Sequence, residues 1–250
     1  MLFPVNSLIG ELCDRLGSDG EYYDDPYPHF VLDDVLPQDF VLGLTDEIRH
    51  MDSWIRYDSP LERKSTCNDW HQFGPYLYRY FSAMLSHEIA RMIGNRLGVA
   101  GLRADVGLHG GGVHLSGDGD KLNVHQDYSL HPKAGFERRV NVIYHVEPMW
   151  QESFGGHLEL WSGESEPVEL RRRVVSRFNR MVVFVTSPGS WHGYAKPISC
   201  PPQLTRKTLA TYYVSAPSGL ASGRLRAHYA PSDAQLGDPY VEALIRDRSR

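Results

Sequence analysis

Apolar residues recur at two different spacings along the chain, and the change divides it into a helical part and a strand-rich part. Between Pro75 and Leu97 they advance by three or four positions and form one stripe, which predicts a single amphipathic helix. Helical spacing also follows Pro37, up to about Met51. From about Gly98 onwards, short β-like runs alternate with glycine, proline and aspartate, a pattern typical of a sandwich or barrel.

Most of the predicted strands lie in the second half of the chain. They are RADVGLHG, KLNVHQDY, RVNVIYHV, GHLELW, VELR, RMVVFVT, WHGYAK and KTLATYYVS, and HFVLDDV precedes them. The polar, turn-rich stretches GSDGEYYDDPYP and PLERKSTCND predict a connector and a loop, and DPYVEALIRDRSR predicts a short C-terminal helix. A helical layer followed by many strands predicts a mainly β protein whose core is buttressed by helices on one side.

Length and composition favour one globular domain. We expect residues 1–97 to form a helical support region, 98–216 the β core and 217–250 a C-terminal extension. A hydrophobic content of 41% with 23% charged residues argues against disordered and fibrous classes. The net charge of -5 gives no reason to expect binding to nucleic acid or to an anionic membrane.

The cysteines and the apolar runs bear on the compartment. Three widely spaced cysteines favour neither a disulfide framework nor a thiolate zinc site. The first residues lack the basic region of a secretory signal, and no run of 18 apolar residues predicts a membrane span. We therefore expect a cytoplasmic protein.

The stretch KLNVHQDY carries the first candidate site. As a strand, it points Asn123, His125 and Asp127 to one side. An imidazole and a carboxylate on one side of a rigid element supply two ligands of a two-histidine, one-carboxylate site for a ferrous ion. Such a site leaves coordination positions open for a co-substrate and oxygen.

The third ligand has to come from another part of the chain, and His192 is the candidate. It follows the apolar run RMVVFVT and the tight turn SPGS, so we expect it at a strand end. The other His-x-Asp, at His50 and Asp52, falls at a predicted helix end, where residues i and i+2 do not share a face, and is interpreted as solvated. Four further histidines are interpreted as surface or hydrogen-bonding residues: His109, His114, His131 and His228.

A second candidate site is the strand LTRKTLATYYVS. Alternation places Arg206 and Thr208 on one face, together with Ala210 and Tyr212. A carboxylate is the best reason for an arginine to point inward here, because the guanidinium fork matches two oxygens and the threonine hydroxyl adds a third contact. The alternative, an arginine facing solvent, is left open by this strand alone.

Five segments in this order resemble the iron(II)- and 2-oxoglutarate-dependent oxygenases of the prolyl-4-hydroxylase-like branch. They are NVHQDYSLHP, RRVNVIYHVEPMW, FGGHLELW, FNRMVVFVTSPGSWHG and TRKTLATYY. The resemblance extends from about Leu108 to Ser215, and more faintly back to PYPHFVLDDVLP. It implies a double-stranded β-helix, also called a jelly roll, of cupin-like architecture.

The resemblance also implies the roles of individual side chains. Iron would be held by His125, Asp127 and His192, while Arg206 would pair with the distal carboxylate of 2-oxoglutarate. Where many relatives have a tyrosine, this chain has His145, on the same face as Asn141. His145 is therefore the candidate hydrogen-bonding partner of 2-oxoglutarate, with Asn141 nearby and Tyr144 the candidate if the register is off by one. His114 is a further candidate contact for substrate or 2-oxoglutarate.

The implied function is a dioxygenase that hydroxylates or otherwise oxidises an unactivated C–H bond. Its cofactors would be Fe(II), 2-oxoglutarate and O2, with ascorbate as a possible reductant, and its products would include succinate and carbon dioxide. The substrate would be an amino acid, a peptide or a small natural product. Loops are expected to set specificity: residues 53–74, 109–120, 129–138 and 147–154. A cupin-like protein without 2-oxoglutarate and a catalytically silent binding module are the alternatives, and Arg206 argues against the first.

Overall fold

A computed structural model describes residues 3–18, 20–219 and 223–248 of the chain. The helices are α1 (Val5–Gly17), α2 (Gln38–Arg49), α3 (Pro75–Met84), α4 (His87–Leu97) and α5 (Pro239–Arg248). The strands are β1 (Glu21–Tyr23), β2 (His29–Leu32), β3 (Ile55–Asp58), β4 (Glu62–Cys67), β5 (Arg103–Ala104), β6 (Gly112–Ser116), β7 (Lys121–Gln126), β8 (Glu137–His145), β9 (Leu158–Ser162), β10 (Glu169–Val174), β11 (Arg180–Val185), β12 (Trp191–Tyr194), β13 (Arg206–Ser215) and β14 (His228–Tyr229).

These strands form one curled antiparallel sheet. Its order is β1-β2-β11-β8-β13-β6-β4-β7-β12-β9-β10, with β3, β5 and β14 attached to β4, β13 and β7. The neighbours in the sheet are mostly distant in sequence, so the two ends of the chain are tied to its middle. Within the described ranges, no helix has the length and apolar character needed to cross a membrane.

The two faces of the central strands have different environments, as the period of two requires. On β8, Val140, Val142 and Tyr144 pack into the core that the sheet shares with α1 to α4. The alternate residues Asn141 and Ile143 line a cavity on the opposite face. The predicted mainly β class with a helical buttress is therefore confirmed.

The predicted helix between Pro75 and Leu97 is in fact two helices. The first, α3, ends at Met84, and Ser86 caps the second, α4, where its Oγ accepts a hydrogen bond from the Ile89 N–H at 3.3 Å. Both helices bury one apolar face in the same core, which is why the apolar stripe passes over the break. A serine followed by a glutamate two residues later was the local signal of the new start.

Three stretches predicted to be irregular contain strands. The segment PLERKSTCND holds the whole of β4, GSDGEYYDDPYP holds β1, and the glycine-rich stretch before residue 121 holds β6. β4 lies between β6 and β7 in the sheet, so the predicted division at residues 97 and 98 was wrong as a boundary of the β core. β4 was not predicted because its inward side chains are polar. The predicted strand RADVGLHG, in turn, contains only the two residues of β5.

Candidate active site

Two neighbouring strands bring the predicted metal ligands together. β7 and β12 are antiparallel partners with His125 directly opposite His192, and Asp127 follows the end of β7. An oxygen of Asp127 lies 3.8 Å from Nε2 of His125, and the other lies 3.4 Å from Nε2 of His192. One ligand atom from each residue falls within 4.8 Å of the others, as a single ion requires.

The hydrogen bonds of the two imidazoles fix which nitrogen faces the ion. Nδ1 of His125 lies 3.0 Å from the carbonyl oxygen of Asn123, and Nδ1 of His192 lies 3.0 Å from that of Ser190. A carbonyl oxygen can only accept, so each Nδ1 carries the proton and donates. Each Nε2 therefore keeps its lone pair on the side of Asp127, which is the arrangement found in metal-binding histidines.

Burial and nearby charges set the protonation states that a cation needs. Burial lowers the pKa of His125 to about 3, with His192 adding to the effect, and burial also lowers the pKa of His192. Burial opposes ionisation of Asp127, but Arg138 and the two histidines hold its pKa well below the usual range. Near pH 7 the site thus presents two neutral imidazoles and one carboxylate.

Asp127 is held in place by side chains outside the triad. Nδ2 of Asn141 donates to Oδ2 of Asp127 at 2.5 Å, and Nε of Arg138 donates to the amide oxygen of Asn141 at 2.9 Å. The rings of Tyr229 and Phe184 pack on His125 and His192, respectively, with centroids 5.2 and 4.8 Å apart. The donor set, its restraint and its apolar walls fit an Fe(II) ion bound on one side and open on the other.

A cavity of about 610 Å³ opens over this triad. Arg206 and Thr208 line it together with the three ligands. β13 carries both side chains on its inward face, as the alternation predicted. The predicted metal ligands and the predicted carboxylate-binding residues therefore share one cavity.

Arg206 is buried and has no acidic partner. Its Nε donates to Oγ of Ser176 at 3.1 Å, and its guanidinium lies 4.9 Å from the ring centre of Tyr194. Burial lowers the pKa of Arg206, and Tyr194 is the group that opposes the shift. Among the described residues, no carboxylate lies within salt-bridge distance of the guanidinium. A buried cation without a partner is costly, so the position fits a residue that awaits an anionic ligand.

Gly156 makes room for the stem of this arginine. It has φ +68°, and a Cβ there would lie 3.0 Å from Cδ of Arg206 and 3.0 Å from Cδ1 of Ile198. Its carbonyl oxygen accepts a hydrogen bond of 2.7 Å from Ser176, the residue that receives Arg206. The glycine therefore permits both a left-handed turn and the close approach of the side chain.

Two histidines flank Thr208 across the sheet. β13 lies between β6 and β8, and Thr208 is the register partner of His114 on one side and of His145 on the other. In the described part of the chain, Nε2 of both histidines is buried without a hydrogen-bond partner. Burial lowers the pKa of His114 to about 3 and lowers that of His145 well below its usual value, so both rings are neutral.

The structure decides between the two registers considered for β8. Tyr144 points away from the cavity, stacks on Tyr80 at 5.4 Å and donates to the side-chain oxygen of Asn179 at 2.5 Å. The alternative assignment of Tyr144 to the 2-oxoglutarate site was therefore wrong. Asn141 does face the cavity, but its amide holds Asp127.

The remaining histidines are distributed as follows. His50 is exposed at the end of α2. The second His-x-Asp is therefore solvated, as predicted, whereas the histidines of the triad are buried. His109 and His114 line the cavity, and His131 lies 3.5 Å from Asp105. His114 is not a surface residue, since it lines the cavity and its Nε2 is buried without a partner among the described residues.

Part of the cavity wall was missed in the sequence. Glu62, Lys64 and Thr66 face inward from β4, and Tyr229 and Arg248 come from the C-terminal segment. The sequence of β4, ERKSTC, is polar or charged at each of its first five positions, so it lacks the apolar alternation that predicts a strand. Of residues 147–154, all described, none lines the cavity.

Comparison with known proteins identifies the domain. Residues 111–214 match the family model described as the 2OG-Fe(II) oxygenase superfamily. This segment of the chain carries a 2OG-Fe(II) oxygenase domain. The matched residues include the metal triad, Arg206 and Thr208, so the family covers the site just described. A search of curated proteins by sequence found no match.

Solved structures show the fold of this oxygenase. It is similar to a prolyl-4-hydroxylase of Pseudomonas putida, with a TM-score of 0.56, 18% identity and coverage of 84% of this chain and 100% of that one. It is also similar to a prolyl 4-hydroxylase of Phytophthora capsici, with a TM-score of 0.54, 20% identity and coverage of 98% of this chain and 76% of that one. HygX of Streptomyces hygroscopicus, solved with nickel, 2-oxoglutarate and hygromycin B, has a TM-score of 0.52, 14% identity and coverage of 79% of this chain and 92% of that one. The predicted double-stranded β-helix is confirmed.

The oxygenase is thus a 2-oxoglutarate-dependent dioxygenase that uses Fe(II), and the predicted enzyme class and cofactors are confirmed. The alternatives of a cupin-like protein without 2-oxoglutarate and of a silent binding module are set aside by the family match. The roles of individual side chains and the cytoplasmic location stay predictions.

Proposed function

We propose that the oxygenase hydroxylates an unactivated C–H bond, with His125, Asp127 and His192 holding Fe(II). The observation that carries the proposal is the meeting of this triad and an unpaired buried Arg206 in one cavity. When bound, iron with 2-oxoglutarate and O2 supplies the oxidising power, at the cost of 2-oxoglutarate, which leaves as succinate and carbon dioxide.

The side chains of this chain have separable roles in that reaction. Arg206 binds the distal carboxylate of 2-oxoglutarate. The Thr208 hydroxyl and the imidazole of His145, its register partner on β8, offer further hydrogen bonds to 2-oxoglutarate. Asn141 orients the Asp127 carboxylate. The rings of Tyr229 and Phe184 keep water from the metal-binding imidazoles.

The walls of the cavity favour a small molecule over a peptide as substrate. The C-terminal segment crosses the metal-binding strand, where Arg224 donates to the Asp127 carbonyl at 3.0 Å and its own carbonyl accepts from the N–H of Ser129 at 2.9 Å. β14 continues this cover by pairing with β7. A free amino acid or a small natural product is therefore the preferred substrate class. A peptide is the second candidate, since a prolyl hydroxylase of Trichoplax adhaerens with a similar fold is solved in complex with a peptide fragment.

Formation of succinate in the absence of a prime substrate tests the proposal. With Fe(II), ascorbate as reductant and O2, the protein is expected to convert 2-oxoglutarate slowly to succinate. His125→Ala or Asp127→Ala should abolish this turnover, because each removes a metal ligand. His50→Ala is the matched control, since its exposed side chain lies at the end of α2 and should leave the rate unchanged. Equal rates in the ligand variants and the parent would rule the assignment out.

A further inference from the structure

The cavity of the oxygenase is strongly positive although the chain is negative overall. Five cationic side chains line it against the two carboxylates of Glu62 and Asp127, which gives the lining a charge of +3. The cations are Lys64, Arg138, Arg206, Arg226 and Arg248. Bound Fe(II) and the dianion of 2-oxoglutarate cancel each other, so the excess remains for the substrate. The whole chain, by contrast, carries -5.

Lys64 carries part of this excess charge. The two carboxylates are already engaged, because Asp127 belongs to the metal triad and Glu62 faces two cations. Arg248 holds Glu62 at 2.8 Å, whereas Nζ of Lys64 lies 3.5 Å from the other oxygen. Glu62 thus shares its charge between two cations, and the ammonium group of Lys64 is held at a longer distance than the guanidinium of Arg248.

A second buried lysine shows what a satisfied ammonium group looks like in this fold. Nζ of Lys207 lies 2.5 Å from Glu147 and donates to both the hydroxyl and the carbonyl of Thr205, at 3.1 and 3.3 Å. Among the described residues, Lys64 has only the ion pair with Glu62 at 3.5 Å and the ring of Tyr57, whose centre is 5.8 Å away, although only 15% of its side chain is exposed. An ammonium group that is largely removed from water and short of acceptors favours the arrival of an anion.

Lys64 is placed to act on a molecule bound over the metal. It lies on the inward face of β4, between Glu62 and Thr66. After burial and nearer groups, its charge adds to the lowering of the pKa of both metal-binding histidines, His125 and His192. The same side chain therefore lines the cavity that holds the metal triad and the inward residues of β13.

We propose that the substrate carries an anionic oxygen group, a carboxylate or a phosphate, which Lys64 binds while the C–H bond to be oxidised lies over the metal site. This inference rests on the proposed function and adds the substrate class to it. A lysine imposes no planar, two-point geometry, so both anions satisfy the ammonium group equally well. A neutral peptide segment offers no charge to this wall.

Binding of matched charged and uncharged probes tests the inference. The anaerobic protein, loaded with Fe(II) and saturating 2-oxoglutarate so that Arg206 is occupied, is titrated with acetate against acetamide and with methyl phosphate against trimethyl phosphate. At least one anion is expected to bind with a Kd below about 10 mM and at least about tenfold more tightly than its neutral counterpart. The pair that discriminates tells a carboxylate from a phosphate.

Variants assign the preference to Lys64. Lys64→Met should weaken binding of the preferred anion about tenfold or more, whereas Lys64→Arg should retain it. Lys196→Met, which removes an exposed lysine outside the cavity, should bind it as the parent does. Failure of both anions to bind the parent, or an undiminished preference in Lys64→Met, would overturn the inference. Succinate formation by the parent tests the proposed function separately.

Discussion

Arg206 offers the sharpest test of how the cavity binds 2-oxoglutarate. Arg206→Met removes the guanidinium but keeps an apolar side chain of similar reach. If the arginine serves a ligand, the substitution should raise the KM for 2-oxoglutarate and leave the fold intact. If the arginine were structural, the substitution should instead destabilise the protein.

The magnitudes follow from the surroundings of Arg206. A charged hydrogen-bonded contact contributes about 1.5 to 3 kcal/mol, so the KM for 2-oxoglutarate should rise about 10- to 140-fold. Within the described part of the chain, the guanidinium without ligand has one side-chain hydrogen bond, to Ser176, a contact with the ring of Tyr194 and no carboxylate partner. Removing it should therefore change the free energy of unfolding by about 1 kcal/mol or less. Breaking a true buried ion pair would cost about 3 to 5 kcal/mol.

Two measurements on the same variant separate these outcomes. Succinate formation is followed against 2-oxoglutarate concentration, and urea unfolding is followed in the absence of 2-oxoglutarate. Arg180→Met is the matched control, because Arg180 is paired with Asp33 at 2.6 Å. That pair is partly exposed, so its loss should lower the free energy of unfolding by about 1 kcal/mol and leave the KM unchanged.

The reasoning would be refuted by either of two results. The first is an Arg206→Met protein whose KM for 2-oxoglutarate stays within about twofold of the parent. The second is a ligand-free variant that loses about 3 kcal/mol or more of stability, as expected for a structural ion pair.

Three further predictions concern neighbours of the site. Asn141→Leu removes the hydrogen bond to Asp127 and should weaken Fe(II) binding about 10- to 100-fold in a metal titration; unchanged affinity would mean that the carboxylate needs no such restraint. His145→Phe keeps the ring but removes its nitrogens, so the KM for 2-oxoglutarate should rise about fivefold, and a KM equal to that of the parent would remove His145 from the site. Because burial lowers the pKa of His114 from 6.5 to about 3, the unfolded chain binds the proton first, and stability is lost as the pH falls from 6.5 towards 3. At pH 5 this loss is about 2 kcal/mol; His114→Gln should recover it in urea unfolding of the metal-free protein, whereas replacement of the exposed His87 should not.

Local alternation accounts for much of the site that the sequence predicted. His125 and Asp127 lie two positions apart at the end of β7, and Arg206 and Thr208 lie two positions apart on β13. A period of two fixes which side chains share a face, whatever the rest of the fold does. The order of the five segments indicated the family, and the family implied the double-stranded β-helix.

Local alternation could not predict which strands pair in the sheet or in which register. The register of β7 against β12, which places His192 opposite His125, depends on contacts between residues 67 positions apart. The choice between Tyr144 and His145 depended on which face of β8 meets the helices. Lys64 was hidden because a strand with polar residues on its inward face has no apolar alternation.

The amino-acid sequence by itself thus determined the ligand types, their facing within each strand and the family. The tertiary structure alone decided which strands meet, which face turns inward and which charges remain without a partner in the cavity. The physical reason is that side-chain facing is set by backbone geometry over a few residues. Strand order, burial and charge pairing are set by contacts between residues that are far apart in the chain.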